Sequence, residues 1–282
     1  MITVRAVPCT RRITAPQGTH RHQIEEGNTM DLGLAGKKAL VTGSTKGLGR
    51  AIAETLVAEG ASVAICSRTE DDVNAAVEAM SAGASGTVVG SVCDAADGDA
   101  VRAWVASSAE ALGGIDVYVH NTSGKPARSF DKWQNNMDID LMSLIHGVDA
   151  AKEALADGGG SLVSIGTTAT MEHFGSGSGS YSAFKAAVTN WTLGQSQVLG
   201  AQGVRCNVVS PGPIFVDGGD WNMIKDNMAE FYAATEKTHP GGALGEPQDV
   251  ANAVAFLAGD AAKHVNGVNI TVDGGFVKRV NY

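Results

Sequence analysis

A short apolar run, Ala39-Leu40-Val41, passes straight into Thr42-Gly43-Ser44-Thr45-Lys46-Gly47-Leu48-Gly49, and no other junction limits the possible folds of this chain so severely. The run reads as a buried strand. Glycines at 43, 47 and 49 permit a tight turn that lets backbone come close to a phosphate group. Leu48, Ile52 and Leu56 then recur at the spacing of one helix face, and Gly60 supplies a stop. A helix that opens there offers unpaired N–H groups and the positive end of its dipole to an anion. A second apolar run, Ser62-Val63-Ala64-Ile65-Cys66, follows at once. Strand, glycine turn, helix and strand in that order form a βαβ dinucleotide-binding unit. Its candidate cofactor contacts are Gly43, Ser44, Thr45, Lys46, Gly47, Leu48 and Gly49.

The alternation continues along the chain. Strands are expected at 86–92, 115–119, 161–165, 204–209 and 267–272, and helices at 69–82, 95–112, 131–156, 180–201 and 247–259. This predicts an α/β chain: a single-domain, Rossmann-type, doubly wound parallel sheet flanked by helices on both faces, with ligands at the carboxyl ends of its strands. With 282 residues, 44% of them hydrophobic, the chain can fill one large core. Before Met30-Asp31-Leu32 lies a segment with Arg5, Arg11, Arg12 and Arg21 ahead of its first acidic residue, Glu25, and no periodicity. We therefore expect a flexible arm over 1–29 and one dinucleotide-binding and catalytic domain over 30–282. A substrate loop falls at about 215–243, where Phe215, Trp221, Met223, Met228, Phe231 and Tyr232 would form an apolar lid or pack short helices onto the core.

Lys+Arg 21 against Asp+Glu 30 leaves a net charge of −9, which argues against nonspecific nucleic-acid binding. No apolar run is long enough to span a bilayer. Cys9, Cys66, Cys93 and Cys206 lack metal-site spacing, so they read as reduced thiols of a cytoplasmic protein and no metal is expected.

The glycine-serine run 175–180 reads as a loop leading to Tyr181. Tyr181 and Lys185 stand at i and i+4 of a predicted helix and share one face. An unperturbed phenol, with a pKa of about 10, is a poor proton carrier near neutrality, and an adjacent ammonium is expected to lower that value. At the end of the second strand, Ser67-Arg68 stands where an acid would bind a ribose 2′-hydroxyl. A guanidinium there suits a 2′-phosphate instead, and Lys46 adds a second cation, so NADP is the expected cofactor, with NAD possible.

Gly-x-x-x-Gly-x-Gly after a strand, followed by Tyr-x-x-x-Lys, resembles the short-chain dehydrogenase/reductase family, in its compact branch of 3-oxoacyl-carrier-protein reductase-like oxidoreductases. The likeness runs from about Leu34 to Gly275 and takes in Asp94, Asn121, Pro211-Gly212 and Asp273-Gly274-Gly275. It implies that Asp94 bounds the adenine pocket, although Asp94 also suits the cap of the next helix. It implies further that Asn121, Pro211, Gly212 and the Ile214 backbone touch the cofactor. The hydroxyl that polarises the carbonyl is Thr167 when counted from the strand, the slightly favoured choice, and Thr168 when counted back from Tyr181. Counting from Trp133 sets Asp140 where the family has an Asn in its proton relay, and after Pro211-Gly212-Pro213-Ile214 the chain has Val216 where the family has a cofactor-contacting Thr. The implied reaction interconverts a ketone and a secondary alcohol, with Tyr181 as proton donor or acceptor and Lys185 holding ribose hydroxyls. The implied partners are a small carbonyl or alcohol and further copies of the chain in a homo-tetramer or homo-dimer. The departures at Asp140, Thr167 and Val216 motivate an alternative, a low-turnover nicotinamide sensor or regulatory protein.

Overall fold

In the computed structural model, residues 30–124, 129, 133–173 and 179–280 are described. The expectations for 1–29, for Cys9 and for most of the glycine-serine run lie outside these residues. Within them, β1 (Lys38–Val41), α1 (Gly47–Ala58), β2 (Ser62–Ser67), α2 (Glu70–Ser81), β3 (Val88–Val92), α3 (Gly98–Leu112) and β4 (Val117–His120) come first. Then follow α4 (Trp133–Asn136), a π-helical turn (Met137–Met142), α5 (Ser143–Ala156), β5 (Ser161–Ile165), α6 (Ser180–Val198) and β6 (Arg205–Pro211). The last elements are α7 (Asp220–Asn227), α8 (Ala229–Thr238), α9 (Pro247–Ala258) and β7 (Asn269–Val272).

The seven strands form one sheet in the order β3-β2-β1-β4-β5-β6-β7, and every neighbouring pair is parallel. The winding direction reverses between β1 and β4, which opens a crevice at their carboxyl ends. Successive side chains on a strand face opposite ways, and the core divides accordingly. Val41, Ile65, Val119 and Val163 meet Ile52 and Leu56 of α1 and Val250 and Val254 of α9. Leu40, Ala64, Tyr118 and Leu162 meet Trp104 of α3, Leu144 and Leu155 of α5 and Val188 of α6. Both faces are thus covered, as a parallel sheet requires.

The expected helix 131–156 is helical from Trp133 but interrupted by the six-residue π turn, which carries Asp140. Most other boundaries shift by a few residues at their ends. The region 215–243, which shows no simple period, contains α7 and α8. Their aromatic side chains pack mainly on one another: Trp221 stacks on Phe231 at 6.2 Å, and Phe215 and Tyr232 meet edge-on at 6.3 Å.

Candidate active site

The carboxyl ends of the strands converge on a cleft of about 1010 Å³. After β1, the turn at Gly43 and Gly47 uses φ of 60° and 58°, a region that glycine enters without steric cost. A Cβ on Gly49 would run into the Gly43 carbonyl oxygen and the Asn121 side chain. Asn121, just beyond β4, donates from its amide to the carbonyls of Thr42 (3.1 Å) and Gly43 (3.0 Å), and its own N–H donates to Thr42 Oγ1. It therefore fixes the glycine turn while also lining the cleft. The turn is a cradle with no room for a side chain at position 49, and its residues fit the phosphates of a dinucleotide.

Most of the anticipated residues share this cleft. Gly43, Thr45, Lys46, Gly47, Leu48 and Gly49 line one side, and Ser67, Arg68 and Asp94 the end beyond β2 and β3. Asn121, Thr167, Tyr181, Lys185, Pro211, Gly212 and Ile214 complete the opposite part. Three residues do not line it. Ser44 is fully buried, donates to the Val41 carbonyl at 2.7 Å and accepts from the Cys66 N–H at 3.3 Å. It braces β1 against β2 rather than facing a ligand. Thr168 is buried at the start of a 3-10 turn, whereas Thr167 caps that turn and faces the cleft. Asp140 lies beneath the cleft wall, fully buried.

Asp94 accepts the Ala96 N–H at 3.0 Å, and the cap of α3 is Asp97 instead. Lys46 carries an unforeseen ion pair with Asp72 at 2.9 Å, on the cleft margin beside Arg68. Asp72 sits in the first turn of α2, where an acid is an ordinary helix-dipole choice, so its position in sequence gave no hint of this. Asp220 and Trp221 of α7 also line the cleft.

Burial pushes the Tyr181 phenol above its ordinary value, and the nearby Thr167 hydroxyl, which favours the phenolate, does not offset it. Asp140 and Asp220 push it the same way. The expected lowering by Lys185 is absent. The ammonium, 1% exposed, is engaged elsewhere: it donates to the carbonyls of Ile165 (3.0 Å) and Thr122 (3.3 Å) and pairs with Asp140 at 3.5 Å. Burial pulls the Lys185 ammonium below its usual range, with Asp140 opposing. His120, at the end of β4, is buried against Ser143 Oγ (2.8 Å) and Thr122 Oγ1 (3.1 Å). Burial first, and then the nearby Lys185 charge, hold it well below its usual pKa.

A doubly wound parallel sheet, a glycine cradle after its first strand and a Tyr/Lys/Thr cluster across the crevice define a nucleotide-dependent oxidoreductase. The family model described as enoyl-(acyl carrier protein) reductase matches residues 43–277. Isoepoxydon dehydrogenase of Penicillium expansum is 33% identical over 247 residues, 86% of this chain and 95% of that protein. L-sorbose reductase of Gluconobacter frateurii, solved with NADPH and L-sorbose, superposes with a TM-score of 0.82 at 26% identity, over 89% of this chain and 100% of that one. A short-chain dehydrogenase of Burkholderia cenocepacia, solved with NADP, gives 0.78 at 32% identity, over 86% and 98%. The chain belongs to the short-chain dehydrogenase/reductase family and is an oxidoreductase.

Proposed function

We propose that this protein is an NADP(H)-dependent oxidoreductase that interconverts a small neutral ketone and its secondary alcohol. One observation carries the reading: Thr167, Tyr181 and Lys185 line the same cleft as the glycine cradle. A bound reduced nicotinamide would supply the hydride. Thr167 donates a hydrogen bond to the carbonyl oxygen, and Tyr181 delivers the proton to that same oxygen. Lys185, anchored by the Thr122 and Ile165 carbonyls, lines the cleft and would turn a donor toward ribose hydroxyls when the cofactor binds. Cofactor contacts fall to the Gly43–Gly49 turn apart from Ser44, and to Ser67, Arg68, Asp94, Asn121, Pro211, Gly212 and Ile214. Asp72 engages Lys46, which leaves Arg68 as the principal grip on a 2′-phosphate. The NADPH and NADP held by the two solved relatives support this choice.

Trp221 of α7, stacked on Phe231, lines the cleft and favours a cyclic or otherwise flat apolar face on the substrate. Residues 30–282 act as one catalytic domain, as a homo-dimer or homo-tetramer in the cytoplasm. Sedimentation of the purified protein reads the assembly directly. Thr167, a departure that motivates the sensor alternative, lines the cleft with Tyr181 and so favours turnover over sensing.

The test is Tyr181→Phe, assayed against a panel of ketones and alcohols with each cofactor. Turnover should vanish while NADPH binding stays within a few-fold of the parent. Full activity in that variant overturns the mechanism, and a higher kcat/KM with NAD overturns the cofactor preference.

A further inference from the structure

Lys185 enters the site with its charge already answered. Asp140 lies 3.5 Å from the ammonium, and both residues are almost wholly enclosed. The π turn delivers this carboxylate to the underside of the cleft. Gly124 N–H approaches both of its oxygens at 3.3 Å, and Asn136 Nδ2 donates at 3.1 Å. Asn136 in turn accepts from Ser180 Oγ at 2.8 Å, which ties the arrangement to the first residue of α6. All the neighbours of Asp140 are donors, the complement of an acceptor-only carboxylate. A cation and an anion held this close largely cancel for a third group a few ångströms away.

We infer that the buried Asp140–Lys185 pair keeps Tyr181 in its acid form through neutral pH, so that the site reduces carbonyls there and oxidises alcohols only under alkaline conditions. The inference rests on the reading of Tyr181 as the proton carrier. It makes Asp140 a positioning and charge-setting residue, with no contact to the reacting atoms. The remaining groups that face the phenol are few. Thr167, from the turn after β5, favours the phenolate, and Asp220, from α7, disfavours it. His120, from β4, stays uncharged, so it adds no second cation. Burial of the phenol acts in the same sense as Asp140.

The experiment is a spectroscopic titration of the cofactor-free protein, in which Tyr181 is read as the phenolate absorbance of the parent minus that of Tyr181→Phe. The parent should give no Tyr181 signal up to about pH 10, the ordinary phenol value. Asp140→Asn should move the transition down by about one to two pH units, the size expected for one charge at short range in a partly buried site. Asp220→Asn should move it less, because Asp220 is exposed. The alkaline limb of kcat for alcohol oxidation should shift with the titration, while reduction at neutral pH does not gain. A parent transition below about pH 10, or one unmoved by Asp140→Asn, overturns the inference. The parent measurement needs no change at position 140 and can overturn the inference even where Asp140→Asn does not fold. In either of those results an inactive Tyr181→Phe leaves the proposed reaction standing; an active one removes both.

Discussion

Position 49 has no space for even one methyl group, since a Cβ there meets the Gly43 carbonyl oxygen and the Asn121 amide together. Gly49→Ala must therefore push the glycine turn away from Asn121, and overpacking of this kind costs about 1–3 kcal/mol. Fluorescence titration should show NADPH binding weakened by roughly tenfold or more, because about 1.4 kcal/mol is a factor of ten. A second residue-scale prediction separates the two threonines. Thr167→Ala removes the donor proposed for the carbonyl and should lower kcat by roughly 10²-fold, in the range seen for oxyanion donors. Thr168→Ala, which changes a buried group outside the cleft, should leave kcat within a few-fold. Here the limits of the sequence are specific. Residue types at Gly43, Gly49, Arg68 and Tyr181 announced their place, because their chemistry has few other uses at that spacing. Ser44 did not, because a serine in a turn can face a ligand or brace a strand, and only the Val41 carbonyl and Cys66 N–H decide which. Lys185 was legible as a neighbour of Tyr181, but its counter-ion was not. Asp140 lies 45 positions earlier (185 minus 140) and reaches the ammonium only through the π turn.

Strands and helices with strong periods are where sequence and structure agree best. β1, α1 and β2 fall almost where the apolar spacing puts them, since each has one consistent face against the sheet or helix layer. α7 and α8 have no such face. Of their residues only Thr235 is buried, and Met223, Met228 and Phe231 stay exposed, so no core-facing stripe was there to read. Arg205 illustrates a further blind spot, a contact between distant elements. It opens β6 and donates to the carbonyls of Leu257 (2.6 Å), Ala258 (3.3 Å) and Gly259 (3.1 Å) at the end of α9, of which Leu257 also accepts from Ser161 Oγ and Gly259 from the Ala262 N–H. A planar fork of donors at a helix carboxyl end satisfies both the hydrogen bonds and the dipole. Arg205→Met should cost about 1.5–3 kcal/mol, the loss typical of charged hydrogen bonds. Arg205→Lys should recover part of this, since it keeps the charge without the fork. Thermal melts of the three proteins test the order; a melting point unchanged in Arg205→Met would remove the capping role.

Covering a parallel sheet on both faces also seals in polar side chains at the middle of its inner strands, and this sets how the whole molecule responds to alkali. Cys66 sits in β2, Tyr118 in β4 and Cys206 in β6, all buried in the same layer. Burial raises all of them, with Cys206 pushed up to about 12, and it raises Tyr181 as well. In each the folded protein holds the proton more tightly than the unfolded chain does. Their contribution is therefore complete below the unfolded values, about 8.5 for thiols and 10 for phenols, and is lost as pH climbs toward the folded ones. Three groups work against the trend. Cys93, lowered chiefly by its hydrogen bond with Cys66, and Lys185 and Arg205, lowered by burial, bind protons less tightly when folded. Their unfavourable share is relieved as pH rises toward their unfolded values. The four raised groups outnumber these three, so the melting temperature in reducing buffer should fall from about pH 8.5 upward. Cys206→Ala deletes one of the raised thiols without touching the cleft, and its melting curve should decline less steeply over the same range. Parallel curves for parent and variant, or a parent that gains stability between pH 8.5 and 10.5, would show that the sealed thiols and phenols do not govern alkaline unfolding.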